Sequence, residues 1–420
     1  MVQGMLHFIE KCPTCFHAVQ TTAKILEENG FSRLQKIENL QPGGSYYTVR
    51  DGSSLIAFRI PKNKPVGFLL TASHGDSPCF RIRDNCDLDG NYARISAERY
   101  GGMLNAPWLD RPLSIAGRVM VKEGDTIKTR LVDFENPMAL IPNVAIHMNR
   151  EANKSLSYDT ARDLFPLYGG KNASFRKDLA KKLGCLEQDI LATDLFVYNP
   201  QKGLVWGAED AFVSAPRLDD LACVYGCLQG LLLAEDPKAI AVMGLFDHEE
   251  IGSETKQGAA SGFLAEVLDA ICAALEVDGE EMRKNSMLLS CDNGHALHPN
   301  RPDLSDRTEA PVMNGGVVIK HSARYATDGV SCAVFSEICR RAGVPVQHYS
   351  NRPDQAGGST LGNIANTKLG MTAVDIGMAQ LAMHSCFETA GREDVSYLIR
   401  AIEAFYKTAL TVNDDGVTMA

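Results

Sequence analysis

Apolar positions along the chain follow two rhythms. Short apolar or alternating runs at residues 54–60, 66–72, 240–246, 286–291, 317–320, 345–348 and 373–377 predict strands, and 240–246 predicts a fully buried one. Segments with helical spacing lie around and between them. Residues 14–29 place Phe16, Val19, Ala23 and Leu26 on one face and end at Gly30, a C-cap signal. A helix entered from residues 214–220 carries Leu221, Val224, Leu228 and Leu231, and further helices are expected at 264–275, 329–338 and 395–409. This alternation predicts an α/β fold.

The rhythm breaks in the middle of the chain. Residues 115–121 and 127–132 read as strands of a hairpin around Glu123-Gly124-Asp125. Residues 143–149 read as another strand bearing His147, and 174–183 as a basic surface helix. The expected organisation is a first part at 1–82, an inserted β-rich domain at 83–207, and a second part of the first domain at 208–420.

Composition narrows the function classes. The 420 residues are 45% hydrophobic and 22% charged, ordinary for a globular protein with ample core. A net charge of −10 disfavours nonspecific nucleic-acid binding and offers no basic patch to a membrane. No apolar run is long enough for a transmembrane helix, and residues 1–30 lack a signal-peptide pattern. Twelve cysteines without a disulfide-like framework fit a reducing compartment, so a cytoplasmic location is expected. Cys12-Pro-Thr-Cys15 is an isolated C-x-x-C that no second pair completes into a zinc site.

The candidate chemistry sits at strand ends. Asp247, His248, Glu249 and Glu250 follow the buried run 240–246, at the position where open α/β sheets place ligands. Adjacent glutamates repel and are costly to desolvate, which a cation would offset. Ser73-His74-Gly75-Asp76 follows another strand, and its His-x-Asp spacing suits a histidine ligand oriented by an aspartate. Asp292 follows the run 286–291, Asp219 and Asp220 open a helix, and His384 follows the run 373–377. Each has a plainer reading, as an acidic turn, a helix cap or an ordinary histidine. Gly357-Gly358-Ser359-Thr360 lacks the Walker pattern. Together His74, Asp219, Glu250, Asp292 and His384 make a five-ligand set for two cations sharing a bridging carboxylate, with Glu249 left as a base. Nitrogen and oxygen donors suit zinc, cobalt or manganese. Amide hydrolysis fits such a set, and phosphate ester hydrolysis would use similar ligands.

The segments S-H-G-D-S-P, R-L-D-D-L, F-D-H-E-E-I-G-S, C-D-N-G-H-A-L-H-P-N, R-Y-A-T and Q-L-A-M-H-S occur in this order, and P-T-C-F-H-A-V lies near Phe16. This series resembles the M18 metallopeptidases, the aspartyl aminopeptidases and vacuolar-type aminopeptidase I. The resemblance implies a three-layer α/β/α sandwich of the zinc-metallopeptidase type with an inserted β-rich dimerisation domain. It implies two Zn²⁺ per subunit, with Asp219 bridging, His74 and Asp292 on one ion, and Glu250 and His384 on the other. Asp76 would orient His74, and Glu249 would act as general base on peptides with a free N-terminus, preferably Asp or Glu. His147, in I-P-N-V-A-I-H, would reach a neighbouring subunit's site. Tyr325 would contact the substrate carbonyl, and Lys320, in V-V-I-K, would pair with an acidic side chain. The assembly implied is a dimer-based tetrahedral dodecamer. The chain departs from the family at Asp220, where R-x-D-N-L is common, and at residues 356–362, where C-G-[ST]-T-[IL]-G is common.

Overall fold

Leu69, Met243, Leu289 and Val374 stand one residue out of step with Leu70, Val242, Leu288 and Ala373, and the two sets are buried in different cores. Successive strand side chains point to opposite faces, so the strands bearing them form a sheet covered on both sides. The computed structural model describes residues 1–355, 357–413 and 416–420. It separates into two units: Met1–Asp76 with Gly203–Met383 and Glu388–Ala420, and Ser77–Lys202 with His384–Phe387.

In the first unit a nine-stranded sheet runs in the order Ser32–Arg33, Ser45–Arg50, Ser54–Arg59, Ile240–Phe246, Phe68–His74, Met287–Cys291, Thr372–Gly377, Val317–His321 and Val346–Ser350. Its four central strands, Ile240–Phe246 through Thr372–Gly377, are mutually parallel. Parallel strands need crossover helices, and helices on both faces bury both sides of the sheet. Helices Val2–Lys11, Cys15–Glu28, Leu218–Leu233, Gly329–Arg341 and Arg392–Tyr406 supply one core. Helices Phe263–Leu275, Gly279–Lys284 and Leu361–Leu369 supply the other. The result is an α/β/α sandwich. The first helix, Val2–Lys11, was not among those expected from the pattern, although Met5, Leu6, Phe8 and Ile9 are buried on it.

The second unit is a six-stranded antiparallel sheet in the order Thr126–Asp133, Ser114–Glu123, Ile190–Tyr198, Cys79–Leu88, Tyr92–Tyr100 and Leu167–Gly170. Helix Phe175–Leu183 packs Phe175 and Leu179 into a separate core with Phe80, Trp108, Ile115 and Leu195. One expectation fails here: residues 143–149 are not a strand. Met148 N–H donates to the Ala145 carbonyl at 2.8 Å, which closes a turn with His147 exposed inside it. Among the described residues, no helix is long and apolar enough to cross a membrane.

Helix Leu218–Leu233 is apolar almost all round because it lies between the sheet and helix Arg392–Tyr406. Gly230 makes that closeness possible: a Cβ there would stand 2.4 Å from Ile402 Cγ2 and 2.9 Å from Ile402 Cβ. In an ordinary helix Gly→Ala stabilises, whereas overpacking here outweighs that gain. Gly230→Ala is expected to lower stability by about 1–2 kcal/mol, read as a lower denaturant midpoint at unchanged slope.

Candidate metal centre

Three neighbouring parallel strands end at one level of the sheet. His74 closes Phe68–His74 opposite Phe246, and Ala72 pairs with Ser290 on the other side. Beyond Phe246 the chain makes a single 3₁₀ turn at Glu249–Ile251, and beyond Cys291 comes Asp292. Asp219 and Asp220 come from the opening turn of helix Leu218–Leu233, where the backbone leaves helical angles and the Asp219–Asp220 peptide is cis. Both are buried, Asp220 completely, so neither is the exposed helix cap that a plain reading would make it.

His74, Asp219, Asp220 and Asp292 offer donor atoms within 4.8 Å of one another, and so do His74, Glu249 and Glu250. His74 Nε2 lies 3.4 Å from Asp219 Oδ1 and 4.0 Å from Asp292 Oδ1. Its Nδ1 lies 3.0 Å from the Asp76 carbonyl oxygen and 3.4 Å from the Asp76 carboxylate. That carboxylate also accepts the backbone N–H groups of Glu249 and Glu250, both at 3.2 Å. Asp76 therefore fixes the His74 ring and the turn bearing both glutamates. The His74 N–H donates to Asp220 Oδ2 at 3.3 Å.

Charge dominates the cluster. Asp76, Asp219, Asp220, Glu249, Glu250 and Asp292 face His74 and Lys320 as the nearby bases. Burial lifts the pKa of Asp220, and Asp292 and Asp219 add to the effect against the pull of His74. Burial also pushes Glu249 up to about 7, again opposed by His74, and raises Glu250 well above the usual carboxylate range. Burial works against a charge on His74, but Asp219 and Asp76 outweigh it and raise its pKa. Carboxylates that hold protons this readily mark a site short of positive charge. The imidazole and carboxylate donors fit a zinc-type cation, with cobalt and manganese as alternatives.

Lys320 supplies part of that charge. Its Nζ is buried, 3.1 Å from Asp292 Oδ2 and 3.2 Å from the Asn293 carbonyl, with the Tyr325 ring centroid 5.4 Å away. Asp292 and burial act on it in opposite directions, and the carboxylate prevails, so the ammonium stays charged. Lys320, expected to pair with an acidic substrate, has Asp292 as its carboxylate partner in the chain itself.

Two supporting residues escaped the sequence reading. Asn293 donates to the Leu218 carbonyl at 3.0 Å and to Gln380 Oε1 at 2.9 Å, and its Oδ1 accepts Met378 N–H at 3.1 Å. Glu388 Oε2 accepts the Asp219 N–H at 3.0 Å. Asn293 had a signal in its place next to Asp292; Glu388 had none. His384 directly follows Met383 of the first unit and is grouped with the second, where its carbonyl accepts Leu104 N–H at 3.0 Å. His147 also belongs to the second unit. Of the loop 356–362, Ala356 lies outside the described residues.

Removing one partner of a buried pair strands the other. Lys320→Met is expected to destabilise the metal-stripped protein by roughly 3–5 kcal/mol, and the metal-loaded protein by less, because a cation can take over the compensation of Asp292. Paired denaturation curves with and without metal would check this.

Residues 8–406 match the family described as Aminopeptidase I zinc metalloprotease (M18). A relative from Clostridium novyi, "Probable M18 family aminopeptidase 2", is 41% identical, covering 96% of this chain and 97% of its own. The chain of the Ape4 and Nbr1 complex superposes with TM-score 0.92 at 33% identity, covering 96% of this chain and 85% of that one. The mApe1 dodecamer of S. cerevisiae superposes at 0.84 with 30% identity, covering 96% of each chain. The strand-end cluster thus stands in a chain whose sequence and fold agree from end to end with one group of enzymes, and the protein belongs to the M18 family of zinc metallo-aminopeptidases.

Proposed function

We propose that the protein binds two zinc ions and removes the N-terminal residue, preferably Asp or Glu, from peptides. The observation that carries this reading is the buried cluster around His74, where carboxylates outnumber nearby bases and Glu249 stands within the same set. In this reading His74, Asp219, Asp292, Glu250 and His384 would hold the ions, with Asp219 as the shared ligand. Bound there, zinc supplies an activated water and a polarised carbonyl. Glu249 takes the water's proton and passes it to the leaving amine, a task suited to a carboxylate lifted to about 7 by burial. Asp76 orients His74 and holds the Glu249 turn. Tyr325 faces the substrate carbonyl beside Lys320.

Two features bear on assembly and specificity. His147 is exposed beside the exposed Val144, Ile146 and Met148, an apolar surface suited to a second copy of the chain. The proposed assembly is a dimer-based dodecamer with His147 acting on a neighbour's substrate, in a reducing cytoplasm where the twelve cysteines form no disulfide. An ammonium has three donors, so Lys320 keeps one for an acidic substrate while holding Asp292 and Asn293. A second reading, neutral preference, is favoured by Lys320 already being paired and only 2% exposed.

The deciding experiment uses N-terminal Asp, Glu, Leu and Lys chromogenic amides with zinc, cobalt or manganese. Preference for Asp and Glu supports the first reading, preference for Leu supports the second, and no cleavage with any metal rejects both. Glu249→Gln is expected to lower kcat about 10²–10⁴-fold at unchanged zinc content. Asp76→Ala should cost about 10–100-fold in activity or metal affinity, since it frees both His74 and the glutamate turn. Mixed assemblies of His147→Ala and Glu249→Gln chains are expected to regain activity that neither parent has; none regained would place His147 outside the neighbour's site.

A further inference from the structure

Away from the carboxylate cluster, His321, Cys332 and His348 bring two imidazole nitrogens and a sulfur within 4.8 Å of one another. Three elements of the first unit deliver them. His321 ends strand Val317–His321, and His348 stands in the edge strand Val346–Ser350, opposite Ile319 in the parallel pairing. Cys332 lies in the opening turn of helix Gly329–Arg341. His321 Nε2 and His348 Nδ1 face each other at 2.9 Å. None of the three has a part in the chemistry proposed above, and none lies in the motifs that mark the family.

We propose that these residues form a separate zinc-class metal site, with two imidazoles and one thiolate as ligands and water completing a tetrahedron. On a tetrahedral ion with bonds of about 2.0–2.1 Å, two nitrogens stand about 3.3–3.4 Å apart, so the facing pair must spread by about 0.4 Å and turn both rings to aim at the ion. The thiol already lies within the same small volume. His348 is exposed and the other two half-buried, so the ion enters from solvent without opening the core. Binding releases the Cys332 thiol proton to solvent. Burial and the neighbouring His348 both lower the His321 pKa, which keeps that ring in the neutral, ligating form. Glu309, hydrogen-bonded by Ser350, adds a negative charge near His321.

The location gives the ion a mechanical role. Strand Val346–Ser350 is the edge of the nine-stranded sheet. A metal here ties that edge to its neighbouring strand and to helix Gly329–Arg341. Lys320 precedes His321 and, by strand alternation, points to the other face. The clamp therefore braces the strand that carries the Asp292 partner without entering the carboxylate cluster.

The inference stands apart from the peptidase reading, and cobalt discriminates between the two sites. The proposed catalytic set has no thiolate, whereas this one does. Titrating the metal-stripped full-length protein with Co²⁺ is expected to give a near-ultraviolet thiolate-to-cobalt band. Both Cys332→Ser and His348→Ala should lose that band, the second while keeping the thiol. Both should bind one zinc fewer per chain than wild type and retain peptidase activity. No band in the wild type, a band unchanged in both variants, or equal zinc content in all three proteins would overturn the site. Loss of the band in Cys332→Ser alone, with His348→Ala unchanged, would overturn the two-histidine ligand set.

Discussion

The structure depends on gathering negative charge where it is expensive to keep. Six carboxylates meet around one imidazole and one ammonium at the ends of parallel strands, out of reach of most water. Isolated, such groups would shed their charge by taking up protons, and the raised pKa values of Asp220, Glu249 and Glu250 are that tendency. Protons relieve the arrangement in part, and a cation would relieve it further while leaving the carboxylates charged. Stability and chemistry are thus one problem at this site, because the same ions would relieve the repulsion and perform the reaction.

Rigidity follows from how few atoms hold the cluster together. Asp76 reads two strands at once, through His74 Nδ1 and through the amides of Glu249 and Glu250. Asn293 joins the Asp292 strand to the start of helix Leu218–Leu233, and Glu388 anchors the Asp219 amide. Each uses a side chain to satisfy backbone groups that would otherwise be buried without partners. The donors stand at or just beyond strand ends, and these hydrogen bonds pin the short connecting turns, which keeps like charges close without letting them drift apart.

The central sheet was legible because strands buried on both faces read as continuous apolar runs, and 240–246 is the clearest of these. His74, Asp292 and the Glu249-Glu250 pair were legible for the same reason: each directly follows such a run. Asp220 was not, since a charged residue at a helix start reads as an exposed cap, and only tertiary packing buries it completely. Residues 143–149 alternate like a strand, yet a strand needs a paired neighbour, and the hydrogen bond from Met148 to Ala145 is local instead. Helix Val2–Lys11 was legible too, since Met5, Leu6, Phe8 and Ile9 stand at helical spacing on one face. The His321–Cys332–His348 group was invisible in sequence, as parallel pairing and a crossover helix bring together residues that share no motif.

Lys320 shows how closely specificity and charge balance are linked. Its ammonium is the only buried lysine charge beside the cluster among the described residues, and Asp292 holds it at 3.1 Å. An incoming acidic side chain would add another negative charge to a region already short of positive ones. Metal ions on Asp292 would weaken its hold on the ammonium and free part of that charge for the substrate. Acidic preference would therefore depend on metal occupancy, whereas a neutral preference would leave Lys320 as a structural counter-ion in both states. The choice between the two readings thus rests on where one proton-rich nitrogen spends its charge once the cations are in place.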